Sequence, residues 1–189
     1  FFLPKKTYKN CSYLYDFCRV VDNIADDEDE IEIKKIKFQK FVSDFKQKNF
    51  EDPVIQNMWN IIHEFNISLE IIYDLFDGIE SDIKQNVKID TRKDLLIYCY
   101  RVAGTVGLMM AKILNVSKKQ SLKSAIDLGI AMQLTNISRD VIEDSKKNRS
   151  YINGNFEEIN STIKLADTFY KNSFYSIREI PLSFRFSIL

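Results

Sequence analysis

Two pairs of aspartates, each with a four-residue spacing, are the residues of this chain whose types and positions could do chemistry. Asp22 and Asp26 form the first pair, and Asp140 and Asp144 form the second, each within an apolar segment of helical periodicity. At about 100° per residue, each pair shares one helix face with polar neighbours, within an arc of roughly 60° for the first pair and 80° for the second. Those neighbours are Tyr15 and Arg19 for the first pair, and Gln133 and Asn136 for the second. Two facing helices that each present a carboxylate pair predict a cage for divalent cations, which would in turn hold a diphosphate.

A simpler explanation is that each pair points into solvent, where aspartate is usually found, beside lysines such as Lys34 and Lys146. However, like charges one turn apart destabilise a helix slightly, and negative charge near a helix C-terminus is also unfavourable. Two matched pairs within apolar helices therefore favour a shared site in which buried carboxylates are compensated by cations.

The ligand types indicate which metal this site would bind. Oxygen donors without a neighbouring histidine or cysteine are typical of Mg²⁺ or Mn²⁺ rather than zinc. Mg²⁺ shares phosphate oxygens with a few carboxylates, so a diphosphate substrate is expected. Arg19, Arg139 and Arg149 could donate forked hydrogen bonds to its oxygens. Tyr15 and Tyr98 are by default core aromatics; alternatively, they line an apolar cavity and stabilise a carbocation through their rings.

Composition predicts the kind of protein that carries these pairs. Apolar residues make up 45% of the 189 residues, with only 5 glycines and 3 prolines, which favours a compact all-α protein. The 27 basic and 27 acidic side chains balance, so no nucleic-acid partner is expected. The 3 cysteines predict reduced packing residues in a reducing compartment. Without a signal peptide or a long uninterrupted apolar run, we expect a cytoplasmic protein that could contact a membrane peripherally.

The apolar periodicity predicts a single domain, residues 1–189, of about eight or nine helices without strands. The helices are expected at about 5–26, 31–45, 53–65, 68–83, 91–114, 117–146 and 156–178, with one more from Pro181. The first is apolar nearly all round and should be buried. Residues 103–107, AGTVG, permit a kink or a close backbone approach. The abrupt start and end predict a chain that is truncated at both ends.

Three segments, in this order, resemble the squalene/phytoene synthase family. Residues 14–26, LYDFCRVVDNIAD, resemble its first aspartate-rich motif, and residues 98–110, YCYRVAGTVGLMM, resemble its central helix. Residues 129–144, GIAMQLTNISRDVIED, followed by residues 148–151, NRSY, resemble its second aspartate-rich motif. The latter two segments most resemble those of bacterial phytoene synthases. The resemblance covers nearly the whole chain and implies an all-α isoprenoid synthase bundle with a central cavity between two aspartate-rich helices.

The resemblance also implies a role for each candidate residue. The ligands of the Mg²⁺ or Mn²⁺ ions would be Asp22, Asp26, Asn136, Asp140 and Asp144. The positions near the diphosphates would be Arg19, Gln133, Arg139 and Arg149. Tyr15 and Tyr98 would be tyrosines of the catalytic cavity.

The implied reaction is the head-to-head condensation of two geranylgeranyl diphosphates to phytoene. It would proceed through a cyclopropylcarbinyl diphosphate, release diphosphate and need no NADPH. The main alternative is a squalene or dehydrosqualene synthase that uses farnesyl diphosphate, because one sequence does not reveal the depth of the cavity. A non-catalytic assembly homologue is a further alternative, which the retention of all four aspartates disfavours.

Overall fold

The computed structural model describes residues 3–177, so the helix expected from Pro181 lies outside the described residues. The α-helices are α1 Lys5–Asp26, α2 Ile31–Gln47, α3 Pro53–Glu64, α4 Leu69–Asp82, α5 Arg92–Cys99, α6 Thr105–Ile113, α7 Lys119–Arg139, α8 Val141–Lys146 and α9 Phe156–Ile177. A π-helical turn, Tyr100–Gly104, joins α5 to α6, and two short strands, β1 Val87–Lys88 and β2 Arg149–Ser150, pair in parallel. The all-α prediction is confirmed. The strands were not predicted, because two residues are too few to show alternation.

Helix α1 has the predicted bounds, but only one of its faces is buried. Leu14, Phe17 and Val21 are fully buried, with the three- and four-residue spacing that one helix face requires. Tyr15, by contrast, is 63% exposed, so the expectation of burial all round is wrong. The exposed side is the one on which the aspartates of the first pair lie.

Helices α1 to α4 share an aromatic core around Phe17. Its ring centroid lies 5.8 Å from that of Phe41, 5.6 Å from that of Phe45 and 6.0 Å from that of Phe76. The Trp59 indole stacks on Phe45 and donates a hydrogen bond to the Phe45 carbonyl at 3.0 Å. Burial of each such ring contributes ~1.5–3 kcal/mol, and each favourable ring pair adds ~0.5–1.5 kcal/mol. This core holds α1, and with it the first aspartate pair, against the bundle.

Helices α6 and α7 lie very close together because glycines face the partner backbone. A Cβ atom at Gly107 would lie 2.3 Å from the Ala125 carbonyl oxygen, and one at Gly129 would lie 2.3 Å from that of Ala103. Neither position can take a side chain unless the helices separate. Ala103 belongs to the π-helical turn and Gly107 to α6, so residues 103–107 show both the irregularity and the close approach that their sequence permits.

Residues 119–146 do not form the single helix that the sequence predicts. Helix α7 ends at Arg139, Asp140 has φ −101° and ψ 13°, and α8 follows directly. The break is mild, because the Asp140 N–H donates to the Asn136 carbonyl and the Asp144 N–H donates to the Asp140 carbonyl, both at 2.9 Å. The first aspartate of the second pair is therefore the residue at which the helix is interrupted.

The three cysteines are free thiols within the bundle. Burial raises the pKa of Cys18 and of Cys99 to about 12, so both thiols stay protonated and unreactive. This agrees with the expected packing role.

Within the described part of the chain, the helical segment Arg92–Ile113 is long and apolar enough to cross a membrane, with a mean hydropathy of 1.2. Length and composition do not distinguish such a span from the core helix of a soluble protein, and 39% of its most apolar window is buried here. The expected cytoplasmic location stays a prediction.

Candidate active site

The first aspartate pair lies on the exposed side of α1, near its C-terminal end. The side chain of Asp22 is 47% exposed and that of Asp26 is 40% exposed, so the expectation of buried carboxylates is wrong for this pair. Arg19, one turn earlier, places Nη1 3.3 Å from Asp22 Oδ2. Partial burial and the charge of Asp26 raise the pKa of Asp22, against the opposing charge of Arg19. The negative charge of Asp22 is therefore incompletely compensated.

Asp26 joins the first motif to the second. Arg149, 123 residues later, places Nη1 2.6 Å from Asp26 Oδ1 and donates from Nη2 to the Ala25 carbonyl at 3.1 Å. Lys147 adds a contact to Asp26 Oδ2 at 3.2 Å. Partial burial acts to raise the pKa of Asp26, but the hydrogen bond and the charge of Arg149 outweigh it, so the pKa is lowered. The two motifs thus meet in space through a forked arginine contact.

Asp140 lies at the junction between α7 and α8, whereas Asp144 lies within α8. Arg139 holds Asp140 with its fork: Nε and Nη2 each donate to one carboxylate oxygen at 2.6 Å, which lowers the pKa of Asp140. Partial burial raises the pKa of Asp144, and the charge of Arg149 partly offsets this rise. Arg149 is a cationic centre with which Asp22, Asp26 and Asp144 all interact electrostatically.

An apolar cavity of about 360 Å³ lies between α6, α7 and α9. Gln133 and Asn136 are among its lining residues, and Asn136 lies one helical turn before Asp140. Most other lining residues are apolar or small, such as Val106 and Leu128. A cavity of this size with a few polar groups is typical of a site for a largely apolar ligand.

Neither candidate tyrosine is among the described residues that line this cavity. Tyr15 is exposed on α1, on the side of the first aspartate pair. Tyr98 is buried and donates to Asp82 at 2.8 Å, while Tyr151 donates to the other oxygen of that carboxylate at 2.7 Å. Asp82 and Tyr151 interact electrostatically with Arg149. The structure thus places Tyr98 in a buried network next to the cationic centre.

Comparison with known proteins shows the family to which this chain belongs. Residues 1–155 match the family model described as squalene/phytoene synthase. The chain belongs to this family. It is 33% identical over 158 residues to a phytoene synthase of Pseudescherichia vulneris, which covers 77% of this chain and 51% of the relative. It is also 33% identical over 152 residues to a presqualene diphosphate synthase of Sinorhizobium fredii, which covers 79% and 54%.

The chain spans about half the length of these curated relatives. A crystal structure of a dehydrosqualene synthase in complex with ligand matches it with a TM-score of 0.79 at 28% identity, over 96% of this chain and 71% of that chain. The predicted family and the isoprenoid synthase fold are therefore confirmed. The roles of the individual site residues stay predictions.

The donor chemistry of the aspartate cluster fits Mg²⁺ that is held jointly with a diphosphate. Within residues 3–177, no three acidic, histidine or cysteine side chains converge closely enough to hold an ion by themselves. The carboxylates instead form two pairs: Arg149 and Lys147 contact Asp26 of the first pair, and Arg139 contacts Asp140 of the second. Mg²⁺ normally takes one or two carboxylates and completes its shell with phosphate oxygens and water. Carboxylate pairs flanked by cations suit such a shared complex.

Three participants were not assigned from the sequence: Lys147, Tyr151 and Asp82. Tyr151 lies in the NRSY segment of the second motif, so the resemblance marked its neighbourhood. Asp82 is 16 residues from Tyr98 and 69 residues from Tyr151, and no local pattern connects such distant partners.

Proposed function

We propose that this protein condenses two molecules of geranylgeranyl diphosphate head to head, forming phytoene and releasing diphosphate. The observation that carries the proposal is the continuity between the aspartate cluster and the apolar cavity, since Asn136 lines the cavity one turn before Asp140. A diphosphate bound at the cluster would leave its prenyl chain beside the apolar walls. Membership of the squalene/phytoene synthase family supports the same class of reaction.

The extent of the cavity along α7 supports a twenty-carbon chain. The lining runs from Asn136 back to Ser121, which is fifteen residues, or ~22 Å at a rise of 1.5 Å per residue. Each isoprenyl unit has four main-chain bonds, or ~5 Å at roughly 1.2 Å per bond in an extended chain. A geranylgeranyl chain of four units is then ~20 Å long, and a farnesyl chain of three units is ~15 Å long. The longer chain matches the full length of the lining.

The proposed ligands of Mg²⁺, or of Mn²⁺ in its place, are Asp22, Asp26, Asn136, Asp140 and Asp144. When bound, the ion would supply Lewis-acid charge that assists the departure of diphosphate. Arg19, Arg139 and Arg149 are proposed to donate to the diphosphate oxygens, with Gln133 nearby. Because Arg139 and Arg149 already contact carboxylates, they would share or exchange these contacts when diphosphate binds.

Departure of the first diphosphate would leave an allylic cation that alkylates a double bond of the second chain. Loss of a proton from the alkylated cation would close the cyclopropane ring of a cyclopropylcarbinyl diphosphate. A second ionisation, rearrangement and loss of a second proton would give phytoene without a reductant. Cavity walls such as Val106, Met110 and Leu128 would exclude water, which would otherwise quench the cation. The catalytic roles of Tyr15 and Tyr98 are proposed from the resemblance alone.

A second candidate is a squalene or dehydrosqualene synthase that acts on farnesyl diphosphate. The similarity to a presqualene diphosphate synthase and to a dehydrosqualene synthase favours it. The non-catalytic assembly role is a weaker candidate, because all four aspartates are present.

The test is to incubate the full-length protein with geranylgeranyl diphosphate and Mg²⁺, with and without EDTA and NADPH, and to identify the products by mass spectrometry. We expect a forty-carbon hydrocarbon that forms without NADPH and disappears with EDTA. A thirty-carbon product from farnesyl diphosphate alone would transfer the assignment to the second candidate. No turnover of either substrate would contradict both enzymatic proposals.

We also propose a cytoplasmic protein that contacts a membrane peripherally when it releases its product. A long hydrocarbon has negligible solubility in water, so transfer to a bilayer would remove it from the cavity. Co-sedimentation with lipid vesicles during turnover would check this.

A further inference from the structure

A partly buried carboxylate connects α4 to the region of the second motif. Asp82 is the last residue of α4, and its two oxygens accept hydrogen bonds from Tyr98 at 2.8 Å and Tyr151 at 2.7 Å. The tyrosines are 8% and 6% exposed, and their rings stack with centroids 4.7 Å apart. The proposed reaction gives no role to Asp82.

The position of Asp82 is unfavourable for a charged carboxylate. Negative charge at the C-terminal end of a helix opposes the macrodipole, and burial raises the pKa of this carboxyl group. The hydrogen bonds from Tyr151 and Tyr98 and the charge of Arg149 act in the opposite direction. Burial raises the pKa of both tyrosines, so their phenols stay protonated and donate. An unfavourable site that is compensated in this way indicates a function beyond packing.

The network reaches Arg149 through a short and well-anchored stretch of chain. Tyr151 follows Arg149 by two residues. The N–H of Val87 in β1 donates to the Asn148 carbonyl, and the N–H of Ile89, directly after β1, donates to the Ser150 carbonyl, both at 3.0 Å. The Arg149 side chain is only 10% exposed and ends 2.6 Å from Asp26. The backbone around Arg149 is therefore held by the segment that contains β1, and its guanidinium is held by Asp26. Tyr151, the residue after β2, is held by the Asp82 carboxylate.

We propose that Asp82 is a positioning residue, which acts through Tyr151 to aim the Arg149 guanidinium at the diphosphate site. This inference rests on the proposed function. Without Asp82, Tyr151 loses its charged acceptor and keeps only the contact with the Tyr98 hydroxyl at 3.1 Å. The chain after β2 is then held less firmly, and the guanidinium spreads over several orientations. Tyr98 contributes by stacking on Tyr151 and by sharing the acceptor. We expect about tenfold weaker binding of diphosphate, the scale found for groups that orient a binding residue from behind.

The test measures the binding of inorganic diphosphate in the presence of Mg²⁺ to the full-length protein by isothermal titration calorimetry. Asp82→Ala and Tyr151→Phe should each weaken binding about tenfold, whereas Asp82→Asn keeps an acceptor and should restore most of the affinity. Asp74→Asn is the matched control, because Asp74 is also on α4 and accepts a phenol hydrogen bond, from Tyr100 at 3.0 Å. This control should bind diphosphate like the wild type. Far-UV circular dichroism checks the fold of each variant. If Asp82→Ala does not fold, the diphosphate affinity of Tyr151→Phe decides the test.

A double-mutant comparison separates positioning from general loosening. In an Arg149→Lys background, Asp82→Ala should weaken binding by less than about twofold, because the fork that it orients is already gone. Additive losses would overturn the inference, as would wild-type affinity in both Asp82→Ala and Tyr151→Phe, or an equal loss in Asp74→Asn. Failure of the wild type to bind diphosphate at all would instead contradict the proposed function, so the two failures can be distinguished.

Discussion

Replacing Gly107 by alanine should destabilise the protein, because the added Cβ has no room between α6 and α7. It would lie 2.3 Å from the Ala125 carbonyl oxygen, whereas ordinary contact begins at 3.4 Å, so the helices would have to separate by about 1 Å. The obstacle is backbone, which cannot rotate away. Overpacking of this severity costs about 3 kcal/mol, and the better helix propensity of alanine returns about 1 kcal/mol. We expect a net loss of about 2 kcal/mol, or a Tm lower by about 4–8 °C.

Gly104→Ala is the matched control, three residues earlier and also helical. Its Cβ would meet the Ile126 Cγ2 and Tyr100 Cδ2 atoms at 3.1 Å, and these side chains can shift. Its Tm should therefore stay within a few degrees of the wild type, by the same balance of packing and propensity. Thermal unfolding of the full-length variants, followed by far-UV circular dichroism, measures both. A Gly107→Ala protein as stable as the wild type would refute the reasoning that this contact holds α6 against α7.

Three further predictions concern the aspartates. Asp22→Ala or Asp140→Ala should abolish product formation and leave the circular dichroism spectrum largely intact; substantial turnover in either variant would contradict the site assignment. Asp26→Asn should lower the Tm at pH 7 through loss of the contacts with Arg149 and Lys147, by the equivalent of about 1 kcal/mol or less for so exposed a group. Because the pKa of Asp26 is lowered below 3.8 in the folded protein, this difference should persist to about pH 4 and vanish as the pH falls through the folded pKa. Asp22→Asn removes a carboxylate of raised pKa, so its Tm at pH 7 should equal or exceed that of the wild type, and a marked loss there would reverse the assigned pKa directions.

The bounds of α1 were predictable because the signals are local. Pro4 precedes the first turn, an acidic run follows Asp26, and the apolar spacing between is helical throughout. Burial on all sides was a wrong inference from the same pattern. Apolar and aromatic side chains such as Tyr15 contribute to exposed surfaces too, so composition alone does not show which side of a helix faces water.

The break at Asp140 had no sequence signal. No glycine or proline interrupts residues 130–144, and the i to i+4 hydrogen bonds continue on both sides of the break. Only the backbone angles of one residue depart from the helix, and that residue is held by the Arg139 fork. The Asp82 network is unpredictable for a different reason, since it depends on tertiary contacts between α4, α5 and the segment after β2.

Each aspartate pair contains one carboxylate that an arginine holds closely and one that is less compensated. Asp26 and Asp140 each have an arginine contact at 2.6 Å, whereas Asp22 has a contact at 3.3 Å and Asp144 forms no ion pair among residues 3–177. A divalent cation gains most where negative charge is least compensated, so Asp22 and Asp144 are the members of the pairs that favour it most. The other two aspartates keep the arginines at the site, where those side chains can donate to a diphosphate. The pairing thus explains how one cluster could attract both a metal ion and the anion that the ion accompanies.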